Sequence, residues 1–148
     1  MREVSGSTWT FQIMITFMLI FAAFLTLIIH YSKVYTVKNR TLSIIEKYDG
    51  ITDAKSLSII NSFAKQKGYI ARATCKDVTW YGVDLTTNIA EEAVSNKQYN
   101  YCFKKNIDTN GKTYYNVQFF YKFNLPIFGD LFLYRINGKT KSFTADKD

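Results

Sequence analysis

Hydrophobic and polar positions along the chain fall into three successive regimes. In the first, residues 4–32 contain no Asp, Glu, Lys or Arg, and residues 9–31, WTFQIMITFMLIFAAFLTLIIHY, are almost wholly apolar. A bilayer core takes about 20 helical residues, with every backbone polar group satisfied inside the segment. This stretch therefore predicts a membrane-spanning helix with some room for tilt. Trp9 at one end and Tyr31 with Tyr35 at the other stand where interfacial aromatic anchors belong, with Phe17, Phe21 and Phe24 between them. The preceding residues 1–8, MREVSGST, read as a short polar lead-in, with Ser7 or Thr8 supplying the N-cap oxygen.

The second regime has the helical period. Across residues 32–50 the apolar positions Val34, Val37, Thr41, Ile44, Ile45 and Tyr48 recur at three- and four-residue spacing, with no Pro or Gly before Asp49-Gly50. The spanning helix is thus expected to continue outward as an amphipathic helix, about 40 residues and roughly 60 Å in all. Gly50 suits the left-handed position after its C-terminus. A helix this long needs its apolar stripe buried, either against its own domain or against a neighbouring copy. A second, shorter helix is punctuated by Thr52 or Asp53 as N-cap, by apolar Leu57, Ile60, Phe63 and Ala64, by Lys65 and Lys67 near its end, and by Gly68.

In the third regime the period drops towards two. Residues 69–83 are rich in β-formers, and residues 85–98 read as a polar excursion with one helical turn over 89–94. Tyr99, Tyr101 and Phe103 alternate, as do Val117, Phe119, Tyr121 and Phe123. A two-residue turn at Asn110-Gly111 would oppose Phe103 with a polar residue. A three-residue loop, Thr109-Asn110-Gly111 with Gly111 left-handed, instead opposes Phe103 with Val117, Tyr101 with Phe119 and Tyr99 with Tyr121, so the bulged hairpin is expected. Pro126 should end or bend that strand. Residues 131–136 predict another strand, Asn137-Gly138 a tight turn, and residues 139–144 a short last strand. The fold class is α+β: a single transmembrane helix extended as an amphipathic helix, then a short helix and a small antiparallel sheet of about four strands, with residues 51–148 as one domain.

Composition changes this picture only in places. The chain has 148 residues, and 117 of them follow residue 31, enough for one small core. The formal charge is +7, but the 19 basic residues are dispersed without a block of five or six, which argues against nucleic acid as a partner. The apolar run is too long for a secretory leader and lacks an Ala-x-Ala site after it, so it reads as a retained anchor. Arg2 precedes the span while Lys33, Lys38 and Arg40 follow it, and the positive-inside rule alone would place the C-terminal domain in the cytoplasm. Against that stand Cys75 and Cys102, the only cysteines, which would be bridged in an oxidising compartment or buried as free thiols in a reducing one.

Catalytic chemistry finds little to work with. His30 is the only histidine, has no Cys, Asp or Glu beside it, and reads as an interfacial residue rather than a metal ligand. The cysteines lack CxxC spacing, and neither a P-loop, a dinucleotide fingerprint nor a nucleophile elbow is present. Glu91 and Glu92 are adjacent and read as surface groups, Asn137-Gly138-Lys139-Thr140 as a hairpin turn, and Asn39-Arg40-Thr41 as a glycosylation sequon inside a helix. No catalytic residue, cofactor site or metal site is assigned, and an enzyme is not expected.

A short polar N-terminus, an apolar helix continuing outward as an amphipathic one, and a small C-terminal sheet with at most one cysteine pair resemble type IV pilin-like proteins, more narrowly the TadE-like pseudopilins and other pilin-like families of Gram-positive bacteria. The closing stretch, Phe123-Asn124-Leu125-Pro126-Ile127 and then Tyr134-Arg135-Ile136-Asn137-Gly138-Lys139-Thr140-Lys141, is similar to the strand, Leu-Pro bend and final Gly-x-Thr hairpin of those groups. One departure is plain: cleavage after Gly6 would put Phe11 where type IV pilins usually carry Glu. The resemblance implies a single-pass protein of the cell membrane with an extracytoplasmic domain, a Cys75–Cys102 disulfide, and a role as an accessory or structural component of a pilus, secretion or competence-type apparatus. Its partners would be the lipid bilayer and other pilin-like or apparatus subunits, copies of itself included, met by helix packing. A membrane-tethered module whose aromatic sheet binds or senses a ligand is the alternative; a sheet left uncovered would favour it, and a sheet covered by the amphipathic helix would favour the pilin-like plan.

Overall fold

The computed structural model describes residues 2–51, 53–68, 71–125 and 129–144, and the side chains of these except at 2–7, 123–125 and 129–132. Two helices, α1 (Arg2–Lys47) and α2 (Ala54–Gln66), precede five strands: β1 (Tyr81–Val83), β2 (Ala90–Glu92), β3 (Tyr101–Ile107), β4 (Thr113–Leu125) and β5 (Gly129–Lys139). All strand pairs are antiparallel, in the order β2-β1-β3-β4-β5.

α1 is one helix of 46 residues. It begins by Arg2, so neither Ser7 nor Thr8 is its N-cap. Once a helix of this length is nucleated, each further residue adds a hydrogen bond, and the polar lead-in joins it. At the other end the left-handed residue is Asp49 (φ 51°) rather than Gly50. Gly50 N–H donates to the Ile45 carbonyl at 3.1 Å, the six-to-one bond of a Schellman cap, which places Asp49 one position earlier in the left-handed slot that Asp tolerates. α2 is capped by Asp53, whose carboxylate accepts from Lys55 N–H, and Gly68 (φ 69°) is left-handed after it.

The main core lies between α1, α2 and one face of the sheet. Val34, Val37, Thr41, Ile44 and Ile45 of α1 are buried, Tyr48 is half-buried, and they meet Leu57, Ile60 and Ala64 of α2 and Tyr101, Phe103, Val117 and Phe119 of the sheet. The hairpin between β3 and β4 has the bulged register: Tyr101 opposes Phe119, Phe103 opposes Val117, and Gly111 is left-handed (φ 72°).

Three expectations fail in instructive ways. Tyr99 does not oppose Tyr121; it bridges to Ala73, and its side chain lies on the other sheet face with Cys102 and Phe120. Residues 90–92 form an edge strand on β1 instead of part of a helical turn, because β1 supplies backbone partners that polar residues in a turn would otherwise take from water. Asn137-Gly138 is not a turn: β5 runs straight through it, Gly138 opposite Val117. A Cβ on Gly138 would stand 3.0 Å from Leu42 Cδ1, so this glycine lets α1 approach the strand. After β5 the chain crosses to the start of β4, where Phe143 bridges to Thr113. Residues 69–83 contribute only the Ala73 bridge and β1 among those described, and Pro126 lies outside the described residues.

Candidate functional site

Two regions set what this protein can do: the uncovered part of α1 and the two faces of the sheet. Residues Thr8–Lys47 include an apolar window long enough to cross a membrane, none of it buried within the protein. Trp9, Phe17, Phe21, Phe24 and Tyr31 all point outward, each at least half exposed. Phe17 and Phe21 stack with centroids 6.5 Å apart, and Tyr31 stacks on Tyr35 at 6.2 Å, with Lys38 Nζ 4.3 Å above the Tyr35 ring. The threonines of this helix satisfy their own hydroxyls: Thr16 donates to the Gln12 carbonyl and Thr26 to the Ala22 carbonyl, both at 2.9 Å. Such back-bonding removes the cost of a bare hydroxyl in an apolar medium.

The helix-packing residues of the second regime are occupied inside the chain. Val34, Val37, Thr41, Ile44, Ile45 and Tyr48 face the sheet and α2, so they are not available to a neighbouring copy. The Thr41 hydroxyl donates to Val37 O at 2.8 Å and is buried in this core. Tyr101, Phe103, Val117 and Phe119 of the sheet's aromatic face are thus covered by the amphipathic helix and α2. One buried polar group crosses this core in good order: Tyr101 Oη donates to Asn61 Oδ1 at 3.0 Å while Asn61 Nδ2 donates to Asn88 Oδ1 at 2.7 Å. Burial pushes the Tyr101 hydroxyl well above its ordinary pKa, so it stays a neutral donor.

On the opposite face Trp80, Tyr99, Cys102 and Phe120 form a second, smaller cluster. Cys75 and Cys102 are joined by a disulfide across it, with Cα atoms 5.8 Å apart. Gly82 completes the packing: a Cβ there would lie 2.4 Å from the Tyr99 ring, so only glycine lets that ring lie on β1. A cleft of about 180 Å³ beside the disulfide is lined by Thr74, Cys75, Lys76, Asp77, Ala93 and Ser95 among others. Nearby, Asp84 accepts from Thr86 N–H at 2.9 Å and from its hydroxyl at 2.6 Å, and forms an ion pair with Arg72. Burial opposes its ionisation, but the Thr86 hydrogen bonds and the Arg72 charge outweigh it and hold the carboxyl below its ordinary value. This is a fastened turn rather than a reactive centre.

No family model, characterised protein or solved structure matches this chain. What the protein does must therefore be sought in its own residues. Among the described residues no three His, Cys, Asp or Glu come together as a metal site. Glu91 pairs with Lys97, and as neighbours on a strand Glu91 and Glu92 point to opposite sides. His30 lies half-buried on α1, in the stripe that leads from the span into the domain. Sequence reasoning missed Gly82, Gly138 and Asn61; a glycine inside a strand pattern is the signal for close backbone approach that would have found the first two.

Proposed function

We propose that the protein is a single-pass membrane protein of pilin-like plan, an accessory or structural subunit of a pilus, secretion or competence-type apparatus, whose domain lies outside the cytoplasm. The observation that carries this reading is one uninterrupted helix with two surfaces. Its N-terminal half is apolar and uncovered, while its C-terminal half is folded into an α+β domain against an antiparallel sheet. The disulfide supports an oxidising compartment for that domain. Because the amphipathic stripe is already occupied, assembly with copies or partner subunits falls to residues 9–31, where side-chain packing between apolar helices is the available force.

Photo-crosslinkers placed at Phe17 and Phe24 in native membranes test this. Cross-linked oligomers, or an adduct to another single-span subunit, are expected; monomers alone would overturn the assembly role. Sidedness is tested separately by thiol labelling of intact cells. Cys75 and Cys102 should react only after reductant, whereas labelling after lysis with no need for reductant would place the domain in the cytoplasm.

A further inference from the structure

The sheet face turned away from α1 gathers cations that the sequence leaves dispersed. The antiparallel registers set which residues share it. Lys104 of β3, Asn116 of β4 and Lys139 of β5 stand in one cross-strand row, and Cys102, Gln118 and Asn137 stand in the next. Arg135, two residues along β5 from Asn137, pairs with Phe120 in the row after that. Cys102 and Phe120 belong to the cluster opposite α1, so the whole set faces away from that helix. Strands lie about 4.8 Å apart and rise about 3.4 Å per residue, which puts Lys104 and Lys139 roughly 10 Å apart across the sheet and Lys139 and Arg135 roughly 13 Å apart along β5. An amide stands inside each gap: Asn116 in the first, Asn137 in the second.

The cations are held but not neutralised. Lys104 Nζ donates to Thr79 Oγ1 at 3.1 Å, Arg135 Nη2 donates to the Thr74 carbonyl at 3.4 Å, and Lys139 Nζ lies 4.0 Å from the centre of the Tyr114 ring. None of these partners carries a charge, and no Asp or Glu is among the described side chains on this face of β3, β4 and β5. The two described ion pairs, Arg72–Asp84 and Lys97–Glu91, engage other residues. Gln118 Nε2 donates to Asn137 Oδ1 at 3.2 Å, which uses the acceptor of the exposed Asn137 and leaves its NH2 group to solvent. Gln118 Oε1 is buried without a partner, the one such side-chain atom among the described residues, and the fold carries that cost beneath the patch.

We propose that this face is a binding site for an acidic polysaccharide, a hydroxyl-rich chain whose carboxylates meet Lys104, Lys139 and Arg135 while Asn116 and Asn137 bond the hydroxyls between them. The exposed groups are cations and amide donors, so charge complementarity calls for an anion rich in acceptors. Other anions fit the surface less well. Gly138 packs on Leu42, eleven residues past Tyr31, which sets the Lys104–Lys139 row about 16 Å above the interfacial aromatics and beyond the screening length of about 8 Å from a headgroup layer. A single-stranded nucleic acid needs an open ring for its bases, and the Tyr114 ring is taken by Lys139. An acidic peptide needs an apolar anchor, and no exposed aliphatic side chain lies on this face between Lys104 and Arg135; Leu133 comes only beyond Arg135.

Binding on this face is separate from assembly through residues 9–31, and either is able to fail alone. Full-length, oxidised protein in nanodiscs of phosphatidylcholine is titrated with polygalacturonate, with neutral dextran as control, and binding is read by biolayer interferometry at low and at physiological salt. Polygalacturonate should bind and dextran should not. Lys104→Gln, Arg135→Gln and Lys139→Gln combined should weaken binding by roughly tenfold or more, whereas Lys55→Gln, Lys65→Gln and Lys67→Gln, which remove the same charge around α2, should change it by less than about twofold. Asn137→Ala alters no charge and should still weaken binding several-fold. Equal losses from the two triple variants, or no binding of polygalacturonate at low salt, overturn the proposal. Tighter binding of duplex DNA, or of vesicles containing phosphatidylglycerol, reassigns the face to that anion and also overturns it. If the first triple variant loses its near-ultraviolet circular dichroism, Lys139→Glu alone, exposed at the end of β5, carries the test with a loss of the same sign expected.

Discussion

The two faces of the sheet are covered by different means. On one, α1 and α2 lay regular apolar stripes over Tyr101, Phe103, Val117 and Phe119. On the other, Trp80, Tyr99 and Phe120 are roofed by irregular chain around Ala73 and Ala93, held by the Ala73–Tyr99 bridge, by Ala93 N–H donating to the Trp80 carbonyl at 2.8 Å, and by the Cys75–Cys102 disulfide. A helix brings its own backbone hydrogen bonds and can hold a face by burial alone. Irregular chain does not, and here a covalent link limits its freedom in the unfolded state.

That contrast can be broken from either side. The largest effect is expected from Ile45→Ala, which empties a fully buried site under α1; it should cost about 2–5 kcal/mol by urea denaturation of the full chain in detergent, whereas Phe21→Ala in the uncovered half should leave the midpoint unchanged. A joint Cys75→Ala and Cys102→Ala variant should lose about 3–4 kcal/mol, the loop-closure contribution of a bridge spanning 27 positions. Its loss should appear first as faster hydrogen exchange near Trp80, not under α1. Gly82→Ala drives a methyl into the Tyr99 ring on the pinned face and should cost about 1–3 kcal/mol. Gly138→Ala on the helix face meets only the flexible ends of Leu42 and Lys38, so a smaller cost of about 1 kcal/mol is expected from the same assay.

The smallest effect is electrostatic. Asp84 is held below its ordinary pKa, so its contribution is present above the unfolded carboxylate value, about 4, and is lost as pH falls through the lower folded value. The stability gap between the parent and Asp84→Asn should therefore be seen near neutral pH and close in strong acid. A gap independent of pH would remove the ion pair and Thr86 bonds from the account.

How much of this was legible beforehand follows from which contacts are local. The long helix, the Asp53 cap and the bulged β3–β4 hairpin rest on periodicity and turn chemistry within a few residues, and all three stand in the structure. Tyr99 looked like one more member of an alternating face. Its flip depends on Gly82 and Ala73, 17 and 26 positions earlier, which no local pattern connects to it. Asn137-Gly138 has the composition of a tight turn, yet its glycine serves a helix almost a hundred positions away. The apolar half of α1 was plain from composition; that the sheet reaches down to Leu27 was not, because it depends on the tertiary course of β4.

The unbroken run of α1 carries one last consequence. With neither Gly nor Pro between Ser7 and Lys47, bearing and rotation are transmitted from one end of the rod to the other. Each helical residue turns the axis by about 100°. A single residue inserted after Tyr31 would swing the sheet by that angle about the helix axis while shifting it only about 1.5 Å, so the N-terminal half of α1 and the domain keep one relative heading.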